Sequence, residues 1–255
     1  MRFFLAALAV LLAAPLAAQP LRTDRPTFTV SPEAVAPGRL QVEFGAVLES
    51  VSPLGDIGIS EVRVPSLLAR FGLLPGIEIR VAPPDYVRFD TEAFDVSTDG
   101  FSDPSVGLKA TVGTFGGLEV GVLAHASLPL GEDGFSNERV VPGVIVTGDG
   151  ALTETVSVGA QIETVFFGEG NAPFGGDATV GGTVLLGYAT SPRTGIFAEL
   201  VLEDEVGGVI DPYALVHTGT TLLLTPDAQL DAHAGIGLAG YAPDYLIGVG
   251  ASIRL

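Results

Sequence analysis

YLIGVGASIRL, residues 245–255, alternates strictly. Tyr245, Ile247, Val249, Ala251, Ile253 and Leu255 fall on one face of a pleated strand. Leu246, Gly248, Gly250, Ser252 and Arg254 fall on the other. A strand of a soluble sandwich buries its large side chains and shows polar ones to water. Here one row is small and polar, which suits a wet lumen, and the other is large and apolar, which suits lipid.

The same period of two runs back through the chain. LQVEFGAVLE sets Leu40, Val42, Phe44, Ala46 and Leu48 outside against Gln41, Glu43, Gly45 and Glu49. GIEIRVA sets Ile77, Ile79 and Val81 against Glu78 and Arg80, and DPSVGLKATVG sets Val106, Leu108, Ala110 and Val112 against Gly107, Lys109 and Thr111. LEVGVLAHASL, TVSVGAQIE, ATVGGTVLLGY, IFAELVLE and AQLDAHAGIGLAG follow the same rule. Three segments are less regular. In EVRVPSLLARFG the parities of Arg63 and Arg70 differ, which predicts a bulge near Pro65. RVVPGVIVTG is apolar on both sides, and DPYALVHTGTTLLL leaves the face of His217 open. With the final strand the count is twelve.

The connections alternate as well. GLLPG, GTFGG, TGDGA, TSPRTG and LTPDA are tight turns. Between them lie longer links, including 82–101 and PLGEDGFSNER, read as external loops that form a gate. Long links outside and short turns in the periplasm are the outer-membrane barrel pattern. An even number of strands then puts both termini on the periplasmic side.

The composition agrees. Only 16% of residues are charged, below the ~25% of a soluble domain, and mean hydropathy is positive. No apolar run beyond the N-terminus reaches the ~20 residues of a spanning helix. A closed barrel resolves this, because every backbone group is paired and each strand is only half apolar. MRFFLAALAVLLAAPLAA, residues 1–18, has the order of an export signal. Residues 19–37 read as an extended periplasmic leader. Residues 38–255 read as an all-β, 12-stranded, antiparallel up-and-down transmembrane barrel of the outer-membrane type.

The inward charges are the candidate site. Glu43, Glu78, Arg80, Lys109, Glu119, Glu163, Glu199, Asp231 and Arg254, with His125 and His233, are expected to line the lumen. An Arg or Lys facing lipid at mid-depth costs ~2–4 kcal/mol, so these groups must point inward or sit at the interfaces. Two roles stay open: ion pairs that fill a narrow barrel, or a path on which Arg80, Lys109 and Arg254 face solute carboxylates. Twelve strands lie between a side-chain-filled eight and an open sixteen. The leader can enter such a lumen and partly close it.

Four stretches in order carry a resemblance: TDRPTFTVSPEAVAPGRLQVEFG (23–45), PSLLARFGLLPGIEIRV (65–81), GFSDPSVGLKATVG (100–113) and HASLPLGE (125–132). With Asp24-Arg25-Pro26 as its leading motif, the chain resembles the outer-membrane, transporter-like family named for the MetA pathway of phenol degradation. The resemblance implies a barrel for uptake or passage of small compounds, apolar or aromatic ones included. Phenol itself is not carried over.

Other chemistry finds no support. There is no G-x-S-x-G elbow, the three histidines lie far apart, and no short metal-ligand spacing exists. No enzyme, cofactor or metal is therefore expected. Without cysteine there is no disulfide framework or thiolate site. A net charge of −18 argues against nucleic acid. The expected partners are membrane lipid, a small-molecule solute, and the periplasmic chaperone and barrel-assembly machinery, with the oligomeric state open. The expected function is an outer-membrane channel or transporter for passive passage of small solutes. The alternative is a structural or adhesion barrel with a blocked lumen.

Overall fold

A computed structural model describes residues 21–54, 57–91, 94–168, 171–173, 175–208 and 211–255. The expected export signal, residues 1–18, lies outside them. The described residues hold strands β1 (Leu40–Leu54), β2 (Ile57–Val64), β3 (Leu68–Leu74), β4 (Ile77–Ala82), β5 (Tyr86–Thr91), β6 (Val96–Phe101), β7 (Ser105–Phe115) and β8 (Leu118–Ser127). Then come β9 (Val141–Ala151), β10 (Val156–Phe166), β11 (Ala178–Ala189), β12 (Thr194–Val206), β13 (Tyr213–Thr225), β14 (Ala228–Ala239) and β15 (Tyr245–Arg254).

All pairings are antiparallel, and β15 returns to β1 from Gln41↔Arg254 to Ser50↔Tyr245. Fifteen segments make twelve staves because three crossings are interrupted. β2 and β3 form one stave, β4 and β5 the next, and β6 and β7 the third. Each break holds proline: Pro65, Pro83 with Pro84, and Pro104. Proline cannot donate to a ladder, so the strand ends there. The bulge expected near Pro65 is thus a full interruption, and it resets the parity between Arg63 and Arg70.

The breaks are bridged laterally. Gly45 N donates to Pro65 O at 2.6 Å, Ser102 N to Asp85 O at 2.9 Å, and Asp85 N to Ser102 Oγ at 3.0 Å. Towards the short turns from this level the exposed residues are apolar, among them Phe71, Ile79, Val81 and Leu108. On the other side the β5–β6 hairpin bears the exposed pair Arg88–Asp90. The segment 82–101 is therefore mostly a wall extension rather than a free loop. Residues 128–140 fold against it, with Phe135 stacked on Phe89 and Asp103 accepting the backbone N–H groups of Leu130, Gly131 and Asn137.

The outer face is a belt of large apolar groups: Phe44, Leu48, Val184, Leu200, Ile236, Ile247 and Val249 are all exposed. The opposite rows are buried and polar: Gln41, Glu43, Arg70, Glu78, Lys109, Thr147, Glu199 and His217 are each at most 3% exposed. This inverts the soluble pattern, as a wall between lipid and a polar interior requires. The two irregular segments resolve too. In β9, Val141, Gly143, Ile145 and Thr147 are buried while Pro142, Val144 and Val146 are exposed, and in β13 His217 is buried while Val216 is exposed.

Candidate functional site

Residues 21–38 precede β1 and pair as no strand of the sheet. Their hydrogen bonds reach most of the ring. Gln41 and Glu43 on β1, Arg70 on β3 and Glu78 on β4 each bond to the leader backbone. So do Lys109 on β7, Thr147 on β9, Gln161 on β10 and Glu199 on β12. Gln229 and Asp231 on β14 bond its side chains, and Val249 O on β15 accepts from Arg25. A segment that touches opposite sides of a closed ring lies within it. The leader therefore occupies the lumen.

The wall is shaped for it. A methyl group built on Gly45 or Gly250 would overlap the Arg25 guanidinium, and one on Gly72 would overlap the backbone of Val35 and Ala36. One on Gly121 would come 2.7 Å from Pro32 O. Gly72 and Gly121 are the places where the leader backbone approaches closely, and Gly45 and Gly250 are the places where the Arg25 side chain does.

Two charge clusters hold the leader. In the first, Arg70 is fully buried and reaches Glu43 at 3.0 Å, Glu78 at 2.9 Å and Asp24 at 3.3 Å. Arg80 bonds Asp24, and Lys109 Nζ lies 3.1 Å from Glu78 and donates to Ser31 O at 2.8 Å. Wall cations Arg70, Arg80 and Lys109 thus face wall carboxylates Glu43 and Glu78, and leader Asp24 supplies the third negative charge. Burial pushes the Asp24 carboxyl up. The charges of Arg70, Arg80 and Lys109 and the Ser31 N–H outweigh it and hold the group well below its ordinary range. Unpaired charges here would be costly; paired and hydrogen-bonded they are tolerated.

The second cluster has the opposite balance. Arg25 of the leader meets buried Asp231 at 3.2 Å. Glu199 accepts from Phe28 N at 2.9 Å, Thr29 N at 2.7 Å and Thr29 Oγ1 at 2.6 Å. It also meets His217 Nδ1 at 3.0 Å, and His217 Nε2 meets His233 Nδ1 at 2.9 Å. Asp24-Arg25 is thus a dipeptide whose two opposite charges answer two oppositely unbalanced walls.

Of the residues expected to line the lumen, Glu43, Glu78, Arg80 and Lys109 converge on the first cluster, and Glu199, Asp231 and His233 on the second. The others stand apart. His125 Nε2 lies 3.1 Å from Glu163, Glu119 sits opposite Asp149 in the β8–β9 ladder, and Arg254 bonds Asp227 in a short turn. Arg70 and His217 belong to the two clusters without being among those expected residues. The parity of L-A-R-F-G, with Phe71 outward, marks Arg70 as inward once the break at Pro65 resets the count. His217 becomes inward once Glu199 is, because the two are partners in the β12–β13 ladder.

Space remains on both sides of the leader. Towards the long connections, a cavity of about 280 Å3 is lined by Phe28, Val47, Glu49, Arg63, Leu68 and Leu246 among others. A second of about 230 Å3 is lined by Phe28, Gln161, Glu163, Val201, Glu203 and Tyr213 among others. Towards the short turns, a third of about 290 Å3 is lined by Arg22, Asp149, Leu185 and Tyr188 among others. Arg25, Pro26 and Thr27 line both the first and the third, so this stretch divides them.

Solved structures share the fold. The COG4313 outer membrane channel from Pseudomonas putida F1 superposes with a TM-score of 0.69 over 88% of this chain and 98% of that one, at 13% identity. The KdgM porin superposes with a TM-score of 0.52 over 84% of this chain and 98% of that one, at 10% identity. A search of curated proteins finds no match. The family model described as "Putative MetA-pathway of phenol degradation" matches residues 23–255, and the chain belongs to that family.

Proposed function

We propose that the protein is an outer-membrane channel for passive passage of small solutes, apolar and aromatic ones included, which move around a docked leader. Residues 1–18 direct its export. The observation that carries this reading is the pair of cavities on opposite sides of Arg25-Pro26-Thr27 in a ring with an apolar outer face. The fold shared with the COG4313 channel and the KdgM porin supports it.

The character of the solute follows from which charges are already met. Arg80, Lys109 and Arg254 each hold a carboxylate of the chain, so none is offered to a passing anion. The larger cavity facing the long connections sets Phe28, Val47, Leu68 and Leu246 beside titratable groups that include Glu49, Arg63 and His233. Such a mixed lining suits a small body with an apolar ring and a polar substituent, and its volume is ample, since an apolar cavity of about 150 Å3 holds benzene.

Planar-bilayer recording with liposome swelling tests the reading. The purified protein is expected to give small conductance and to admit uncharged aromatic solutes ahead of carboxylates of similar size. The blocked-lumen alternative is favoured by the depth of leader packing. A barrel that stays closed to every solute, and stays closed when Phe28 is shortened to alanine, would establish that alternative.

A further inference from the structure

Among the described residues, the β1–β15 junction is the one lateral join in the ring between segments far apart in sequence. Every other neighbour follows its partner closely along the chain. Joining distant segments carries the largest loop-closure entropy, and non-local pairing of this kind slows folding. Leader residues 22–25 lie on that junction.

Four consecutive residues bond to both strands that meet there and to β14, which lies behind β15. On β1, Gln41 Nε2 donates to Arg22 O at 2.8 Å, and Glu43 Oε2 accepts from Asp24 N at 3.0 Å and Arg25 N at 2.9 Å. On β14, Gln229 Nε2 donates to Thr23 Oγ1 at 3.0 Å, and Asp231 accepts from Arg25 Nη2 at 3.2 Å. On β15, Val249 O accepts from the same nitrogen at 3.1 Å. Gly45 and Gly250 are directly paired across the junction, and the guanidinium of Arg25 lies over both.

We propose that residues 22–25 are a closure clamp: an internal template that brings β15 onto β1 while the barrel folds. The leader is tethered to β1 by sequence, so its contacts there are local. Its free flank presents Thr23 and Arg25 to β14 and β15. The distant partners thereby meet a preformed binding edge instead of a bare strand. The Gly45–Gly250 pair is the slot that receives the clamp. A strand interior gains from larger side chains in its ladder, so glycine on both sides of a closing seam is otherwise a weak choice.

The readout is folding, so the proposal stands apart from the permeation reading. The urea-denatured full chain is refolded into lipid vesicles, and the compact, heat-modifiable species is followed in time. Gly250→Val, which raises strand propensity, is expected to slow its appearance about tenfold, because the added side chain fills the slot. Arg25→Ala is expected to slow it comparably by removing the clamp. In the double variant the clash is gone, and it folds no more slowly than Arg25→Ala alone. If Gly250→Val gives no folded protein, recovery in the double variant still supports the clamp. Wild-type closure rates in either single variant overturn it, and so does a Gly250→Val defect that persists when Arg25 is alanine.

Discussion

Arg70 and Glu78 face each other across the β3–β4 hairpin, with Nε 2.9 Å from Oε1 and Nη2 3.2 Å from Oε2. Both side chains are wholly buried. Arg70 Nη1 also donates to Glu43 and to Arg22 O, and Nη2 donates to Glu33 O as well. One guanidinium therefore joins three staves to the leader. Replacing it with Met leaves Glu43 and Glu78 without their shared partner, and removing one side of a buried pair costs about 3–5 kcal/mol. Arg70→Met is expected to lower the unfolding midpoint accordingly, as read from loss of heat-modifiable migration. Arg88→Met, which breaks only an exposed pair, is expected to leave the midpoint unchanged.

Acid acts on the same cluster through Asp24. Its carboxyl is depressed in the folded protein, so its contribution to leader docking is complete above the unfolded value, near 4. The contribution declines as the pH falls below that value, and it is gone once the pH passes the folded one. Leader protection from pepsin is therefore expected to hold from about pH 4 down through the ordinary carboxylate range and to fail only in stronger acid. Asp24→Asn is expected to weaken protection already at the upper end of this window and to flatten its dependence on pH.

Phe28 is the leader residue common to both cavities towards the long connections, and its ring stands edge-on to His217 at 5.0 Å. Phe28→Ala removes the side chain while keeping the backbone bonds to Glu199. Conductance is expected to rise by a factor of a few, as for a widened constriction whose walls are otherwise retained. Unchanged conductance would place the limiting constriction elsewhere, in the Arg25–Thr27 stretch.

The outward row of β15 makes a separate claim. Val249 is exposed in the middle of the strand, on the apolar face. Val249→Lys is expected to cost ~2–4 kcal/mol in a bilayer, measured by reversible unfolding from vesicles. If the substitution were neutral, that row would face water instead of acyl chains.

Asp103 governs a local order. It accepts from the backbone nitrogens of Leu130, Gly131 and Asn137, which fixes residues 130–137 against the β5–β6 hairpin. Asp103→Ala leaves those donors to water, and about 1–3 kcal/mol of local stability is lost. Faster proteolytic nicking within 130–137, with the unfolding midpoint of the barrel unchanged, is the expected result.

Much of this architecture is legible in the chain. Period-two rows such as Val249, Ala251 and Ile253 against Gly248, Gly250 and Ser252 report directly on the two environments of a wall. The alternation of short and long connections orders the staves. What the pattern could not show is what the inward rows face. Gly250 and Gly45 suit a wet lumen as well as they suit a slot for Arg25, because a small residue looks the same beside water and beside another backbone. The leader carried no period, and its partners come from strands spread along the whole chain. The charge of Arg80 was visible, but its neutralisation by Asp24 depends on a fold that sets them side by side. Pro83 and Pro84 interrupt the pattern, so 82–101 looks like a loop in the sequence although a strand resumes at Tyr86.

The imprint of the leader on the wall has an evolutionary consequence. Gly45, Gly72, Gly121 and Gly250 are a mould of one particular peptide, so the two parts can drift only together. A leader grafted from a distant relative would meet bumps where it needs hollows, and hollows where it needs support. Chimeras that exchange this segment alone should be barren, whereas exchanging it together with its glycine seats should yield viable hybrids.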